Sequence, residues 1–129
     1  MSVAAYQKAN QSTETPKQTE YRAFAIFTRA LEEAEAKGSV AVVKAVAENR
    51  QLWLTLQMDL ASEENKLPLE LRAQLLSIAI WVNKYSVAAM KGEASLEPLI
   101  TVNKQIMDGL KPQSASNSAP NPINPQVTE

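Results

Sequence analysis

The chain has 129 residues, contains neither cysteine nor histidine, and carries a formal net charge of −1 at pH 7. It therefore lacks the usual zinc ligands, a thiol nucleophile and the imidazole that suits proton transfer near neutral pH, so we expect neither an enzyme nor a bound metal or other cofactor. The sequence pI is near 5.6 and the charges of both signs are interspersed, which disfavours direct binding to nucleic acid.

The amino-terminal residues 1–8 lack the apolar core of a signal peptide. No apolar run in the chain approaches the ~20 residues that span a bilayer. We therefore expect a cytoplasmic protein with no membrane association, and the absence of cysteine is compatible with a reducing compartment.

Residues 1–15 are small and polar apart from the apolar group at 3–6, which predicts an N-terminal arm or a short helix. Thr15-Pro16-Lys17-Gln18 then resembles a capping box, with a hydroxyl at the cap and proline at the first helical position. The first long helix should begin there and end at Gly38, because glycine commonly follows the last helical residue.

A second helix is expected over residues 39–61, capped by Ser39. Its β-branched residues would also suit a strand, but the helical spacing continues for about twenty residues, which is longer than strands usually run. Leu67-Pro68 opens a third helix that ends at Gly92, and a shorter helix over 95–110 is capped by its serine.

The third helix is apolar almost all round from Leu75 to Val82. Such a helix is either the central element of a bundle or is covered by a partner. Central burial is the preferred interpretation.

The composition changes at residue 111, after which four prolines stand among serine, asparagine, alanine and glutamine. Residues 111–129 are predicted to form a disordered tail, because they cannot bury enough apolar surface to offset an ordering cost of about 1–2 kcal/mol per residue. Residues 16–110 are expected to form one all-α domain, a small helical bundle of about four helices.

Two asparagines, Asn49 and Asn103, occupy positions on apolar helix faces where an aliphatic residue would be expected. A buried amide must form hydrogen bonds, or it destabilises the fold by roughly 1–3 kcal/mol. We interpret both as structural residues that bond caps, backbone groups or one another, because most buried amides are satisfied internally. Contact with a partner is the alternative.

Apolar residues that lie off the main stripes are candidates for a surface that accepts an amphipathic helix from another protein. With the arginines and tryptophans added, the candidate partner-binding residues are Arg50, Leu52, Trp53, Arg72, Leu76, Ile80, Trp81 and Tyr85. Core packing remains open for the apolar members and is preferred for Trp53, which lies on a main stripe. For the arginines, an internal pair with Glu48 or Asp59 is equally open.

Several separated blocks resemble, in this order, the FlaF family of flagellar biosynthesis regulators of α-proteobacteria. The blocks are Thr19–Arg22; Asn49–Trp53 with Leu56 and Asp59; Leu67-Pro68 with Leu71–Ala73; Ser77–Val82; and Pro98–Ile100 with Val102-Asn103, Ile106-Met107 and Gly109-Leu110. The resemblance covers about residues 3–110 and leaves the proline-rich tail outside.

The resemblance implies a small cytoplasmic protein without enzymatic activity that is needed for flagellin to be made and exported. It also implies that the protein binds flagellin as a secretion chaperone. It suggests a link to FlbT, the regulator that restrains flagellin translation. The positions that match the family are Asn49, Arg50, Trp53, Leu71, Arg72, Trp81, Asn103 and Met107, and matching alone does not assign them to binding.

Two other functions remain open. The protein could regulate flagellin translation together with FlbT, directly or indirectly through flagellin mRNA, although its scattered cations disfavour direct RNA binding. Alternatively, residues 111–129 could join flagellin or FlbT to the export machinery as an adaptor.

Overall fold

The structure is a computed structural model that describes residues 16–110. Its four helices are α1 (Pro16–Lys37), α2 (Ser39–Ala61), α3 (Leu69–Met90) and α4 (Glu97–Leu110). No strand occurs within these residues, so the predicted all-α class and the number of helices are confirmed. The predictions for residues 1–15 and 111–129 lie outside the described residues.

Two predicted caps are wrong. Ser39 is the first residue of α2, and the cap position belongs to Gly38 without any side-chain hydrogen bond. α4 begins two residues after Ser95, and its first backbone bond runs from Ile100 N to Leu96 O. The two serines correctly predicted that a helix begins within two residues of each of them. Backbone geometry decides which residue takes the cap position.

Gly38 alone connects α1 to α2, and its backbone has φ 112° and ψ 175°. Its N–H donates to Ala34 O and its carbonyl accepts from Val42 N, both over 3.1 Å, so it completes both helix ends. The combination of positive φ and extended ψ is essentially restricted to glycine. This one residue therefore allows two long helices to turn back on each other.

The connections between helices are Gly38, residues 62–68 and residues 91–96. Links this short favour antiparallel neighbours. Close backbone approaches join α1 to α2, α2 to α3 and α1 to α4, whereas α3 approaches α4 less closely. By close backbone approach, α1 and α2 therefore each have two neighbouring helices, whereas α3 has only α2 and α4 has only α1.

This arrangement corrects the expectation that α3 is the central element. α3 lies at an edge of the bundle, although it is the most apolar of the four helices. Its buried residues, Ala79, Val82, Ser86 and Ala89, follow one narrow stripe. Apolar side chains outside that stripe remain partly or largely exposed.

The core centres on Trp53, whose side chain is 0% exposed. The ring of Phe24 from α1 meets it edge-on, with centroids 5.5 Å apart and an interplanar angle of 81°, a favoured geometry for aromatic pairs. The other buried apolar residues are Leu31, Ala34, Ala45, Val46, Leu60, Ala79, Val82, Ala89, Leu96, Leu99 and Ile100. Within the described part of the chain, no helix is both long enough and apolar enough to cross a membrane.

We expect Gly38→Ala to lower the free energy of unfolding by about 1–3 kcal/mol, because a side chain at this φ and ψ is strained whatever space surrounds it. The control is Gly109→Ala in α4, where an added Cβ also meets no atom within 4 Å and the backbone is not in the positive-φ region. Urea denaturation followed by circular dichroism should show Gly109→Ala unchanged or more stable by up to about 1 kcal/mol. Equal effects of the two changes would contradict the role given to Gly38.

Candidate functional site

Each helix contributes one buried polar side chain: Thr28, Asn49, Ser86 and Asn103. Thr28 lies one turn after Phe24 in α1, and Asn49 lies one turn before Trp53 in α2. Because Phe24 and Trp53 are in contact and the helices are antiparallel, Thr28 and Asn49 are at the same level of the bundle. We name these four residues the polar layer.

A chain of hydrogen bonds joins α2 to α4 through the polar layer. Asn103 Nδ2 donates to Asn49 Oδ1 over 2.7 Å, and Trp53 Nε1 donates to Asn103 Oδ1 over 2.9 Å. The two asparagines thus bond each other through their side chains rather than through caps or backbone groups. A buried network of this kind restricts how two helices can be aligned, because any shift leaves polar groups without partners.

The polar layer is not fully satisfied. Thr28 Oγ1, Asn49 Nδ2 and Ser86 Oγ have no hydrogen-bond partner within the described residues. All three belong to side chains that are at most 3% exposed. The layer is therefore an internal feature, and a partner cannot reach it on the assembled bundle.

This burial corrects the place of Trp53 among the candidate partner-binding residues. Its ring is enclosed by the core, and its only polar atom is occupied by Asn103. Leu52 is half-buried and packs against the core cluster. Neither residue presents the exposed surface that a docking partner needs.

Arg50 forms a different contact from the ones considered for it. Its Nε donates to Asn83 Oδ1 over 3.1 Å, and Asn83 Nδ2 donates in turn to Gln57 Oε1 over 2.9 Å. We name Arg50, Asn83 and Gln57 the amide bridge. Its three side chains are half-buried and connect α2 to α3. The pair with Asp59 that the sequence left open is absent, and that carboxylate accepts instead from Asn65 Nδ2 over 3.2 Å.

Helical spacing places a set of apolar residues on the same faces as the amide bridge. In α2, Val43, Arg50 and Gln57 are separated by seven residues each, and in α3 Asn83 lies within four residues of Ile80 and Val87. Residues at these separations share one side of a helix. The combined surface, which we name the α2–α3 face, consists of Val43, Arg50, Leu54, Gln57, Met58, Leu69, Leu76, Ile80, Asn83 and Val87.

The α2–α3 face holds most of the exposed large apolar side chains that the structure describes. Met58 is 74% exposed, Leu69 75% and Ile80 47%, and Val43 and Val87 are also exposed. The other exposed large apolar residues lie outside this face: Ile26, Val40, Leu67 and Trp81. Apolar side chains gathered on one face mark an interaction site more often than singly exposed residues do.

Trp81 and Tyr85 lie on the other side of α3. Their rings stack with centroids 4.9 Å apart, and Tyr85 Oη donates to Ser95 O over 2.8 Å. Trp81 also lines a shallow depression of about 270 Å³ with Ser77, Ile78 and Val102. These contacts tie α3 to the segment that leads into α4, so a structural role accounts for both rings.

Sequence reasoning treated Ile80 and Trp81 as parts of one surface, and the structure separates them. Consecutive residues on an α-helix point about 100° apart, so one faces the amide bridge and the other faces α4. Arg72 belongs to neither of these two sides of α3. Its Nη1 donates to Asn65 O over 3.2 Å, and this bond ties α3 to the connection between α2 and α3. Of the eight candidates, Arg50, Leu76 and Ile80 are therefore brought together.

Asn83 and Gln57 belong to this site and were missed. Two signals were available in the sequence: an amide in the most apolar helix, and a glutamine seven residues after Arg50. Their pairing depends on how α2 and α3 are aligned, which periodicity within one helix does not specify.

Elsewhere on the surface, salt bridges join some of the charged side chains of α1 and α4. Glu33 accepts from Arg29 and Lys37, and Glu32 accepts from Lys104. The hydrogen bond from Arg29, reinforced by Lys37, lowers the pKa of Glu33. Within residues 16–110, no group of three or more acidic residues is placed to hold a metal ion.

The family model described as Flagellar protein FlaF matches residues 2–110. The chain belongs to the FlaF family. No curated protein and no solved structure matches it. The polar layer, the amide bridge and the whole α2–α3 face lie inside the FlaF match, whereas residues 111–129 lie outside it. Membership identifies a flagellar protein and favours one that has no catalytic activity.

We expect Asn103→Leu to lower the free energy of unfolding by about 2–5 kcal/mol, because it leaves Trp53 Nε1 and Asn49 Oδ1 buried without partners at roughly 1–3 kcal/mol each. Adding Asn49→Leu should recover at least about 1 kcal/mol, since it removes one of the two stranded groups. Urea denaturation of the single and double variants measures both values. Strictly additive losses would show that the two amides do not act as a pair.

Proposed function

We propose that this FlaF protein binds flagellin in the cytoplasm as a secretion chaperone, and that it promotes flagellin synthesis and export without chemistry of its own. The observation that carries the proposal is the position of α3. The most apolar helix of the bundle lies at an edge, and its apolar residues continue those of α2 to form the exposed α2–α3 face. Membership of a flagellar family supports flagellin as the protein that covers this face.

The shape of the face suits a helical partner. Two antiparallel helices present a shallow channel, and a third helix packs into it through anchors spaced three, four and seven residues apart. The terminal segments of flagellin are amphipathic helices that assemble with one another in the filament. Before assembly the apolar faces of these helices are exposed to water. Binding to the α2–α3 face would bury them and prevent premature polymerisation, while the subunit stays available for export.

Burial of apolar area supplies the affinity in this proposal. It contributes about 25 cal/mol per Å² removed from water, and loss of translational and rotational freedom offsets part of that gain.

Control of flagellin translation with FlbT is the alternative function. The basic residues are scattered along the sequence, and three of them, Arg29, Lys37 and Lys104, pair with glutamates, which disfavours direct phosphate contacts. An effect on translation is therefore better explained through protein contacts than through direct RNA binding.

We expect the purified protein to form a stoichiometric complex with monomeric flagellin. Size exclusion with light scattering gives the stoichiometry, and titration calorimetry should give a negative heat-capacity change, the mark of apolar burial. If demonstrably monomeric flagellin forms no complex, the chaperone proposal fails and FlbT becomes the partner to test, with and without flagellin mRNA.

We expect Ile80→Glu to weaken flagellin binding at least tenfold, about 1.4 kcal/mol, because it places a charge within the apolar α2–α3 face. The matched control is Ile26→Glu on α1. Ile26 is 60% exposed against 47% for Ile80, so the same change is made at a similarly accessible site, and binding should stay within twofold.

Circular dichroism and melting temperature must show that both variants are folded. Intact binding by folded Ile80→Glu would exclude the α2–α3 face. If Trp81→Glu were to weaken binding while Ile80→Glu did not, the docking surface would lie on the α4 side of α3.

A further inference from the structure

Arg50 stands at the middle of the α2–α3 face, seven residues from Val43 on one side and from Gln57 on the other. Helical spacing places Leu54, which is half-buried, one turn away on the same side of α2. In α3, the hydrogen-bond partner Asn83 shares its side of the helix with Ile80 and Val87. A guanidinium at the centre of an apolar face is unusual, because burial of a charge is unfavourable unless it is paired.

The contacts of Arg50 leave most of its donors unused. Only Nε is engaged, by Asn83 Oδ1. No hydrogen bond within the described residues uses Nη1 or Nη2, and no ion pair joins the side chain to Glu48 or Asp59. A guanidinium carries a positive charge, and here that charge lies on the α2–α3 face.

The amide bridge fixes where that charge lies. Gln57 accepts from Asn83, and Asn83 accepts from Arg50 Nε, so the guanidinium is oriented before any partner arrives. Orientation in advance reduces the entropy lost on binding. Asn83 and Gln57 are in this sense positioning residues for Arg50.

We propose that the α2–α3 face receives an amphipathic helix of a partner protein that carries a carboxylate at the centre of its apolar face, and that this carboxylate accepts hydrogen bonds from Nη1 and Nη2 of Arg50. The proposal rests on the proposed function and specifies which kind of flagellin segment the face selects. A docked helix removes water from Arg50, and a carboxylate is the acceptor that matches the two parallel N–H groups of a guanidinium.

Segments of this chain itself do not have that chemistry. In residues 1–15 the only acid is Glu14, eight residues after the apolar group at 3–6 ends. Residues 111–129 contain four prolines and a single acid at the last position, Glu129. Neither sequence can place a carboxylate at the middle of an apolar helix face.

A second copy of the chain fits the charge pattern poorly as well. Two-fold pairing centred on the face would bring one Arg50 against the other, because the same patch contributes from both copies. Two like charges repel each other strongly in an interface from which water is excluded. Charge complementarity therefore favours a different protein with an acidic residue.

The first test uses Arg50→Gln in the full chain with full-length monomeric flagellin. We expect the dissociation constant to rise at least tenfold. The control is Arg29→Gln, which removes one positive charge from an exposed site already paired with Glu33 and should change affinity less than twofold. Circular dichroism must show both variants folded, and Arg50→Lys should bind with intermediate affinity, because it keeps the charge and loses the forked geometry.

The second test is a charge exchange. Arg50→Glu is combined with flagellin variants in which single acidic residues of the terminal helices are changed to lysine. We expect one such flagellin to bind Arg50→Glu at least tenfold more tightly than unaltered flagellin does, and this would identify the recognised carboxylate.

The outcomes separate the two proposals. If unaltered flagellin does not bind the unaltered protein, the proposed function fails. If flagellin binds and folded Arg50→Gln retains full affinity, the function stands and the carboxylate inference is overturned. A dimer of this chain that Ile80→Glu dissociates would also overturn it, because the occupant of the face would then be a second copy.

Discussion

The hydrogen bonds of Asn103 to Trp53 and Asn49 hold the position of α4, and the rest of the bundle depends on that position. α4 has 14 residues, a length at which an isolated helix is marginal in water. Leu99 and Ile100 bury its apolar side, but apolar packing alone tolerates shifts along the helix axis. The buried amide does not, because each shift would leave at least two polar groups stranded.

Fixing α4 against α1 and α2 has a consequence for α3. With α4 packed mainly on α1, α3 is left with α2 as its close neighbour and cannot bury all its apolar residues. The two sides of α3 that do not pack against α2 differ in what covers them. The side towards α4 is occupied by the stacked Trp81 and Tyr85, and the side continuous with α2 is left open as the α2–α3 face.

The open face combines two properties that a reversible binding site needs. Its apolar residues supply non-directional attraction, which by itself selects weakly among amphipathic helices. The guanidinium of Arg50, oriented by Asn83, would discriminate among amphipathic helices. A helix without a hydrogen-bond acceptor at that point would bury the charge of Arg50 unpaired. If the proposal holds, stability of the bundle and recognition by it use separate polar networks, one buried and one half-buried.

Much of the fold followed from the sequence. Glycine and proline positions and the apolar spacing of 16–110 specified four helices and their approximate ends, because these signals act within a few residues. The apolar stripes also identified Trp53 and the two asparagines as inward-facing. The family resemblance was likewise carried by the sequence alone, through blocks spread along the bundle.

Tertiary structure decided which helices are neighbours. Periodicity shows that α3 is apolar on several sides, but it cannot show which side another helix covers, and central burial was therefore the wrong expectation. The amide bridge was missed for the same reason, since Arg50 and Asn83 are 33 residues apart and meet only when α2 and α3 pack. Local sequence determined where each helix forms. The pairing of distant side chains decided which face of each helix is buried and which is left exposed.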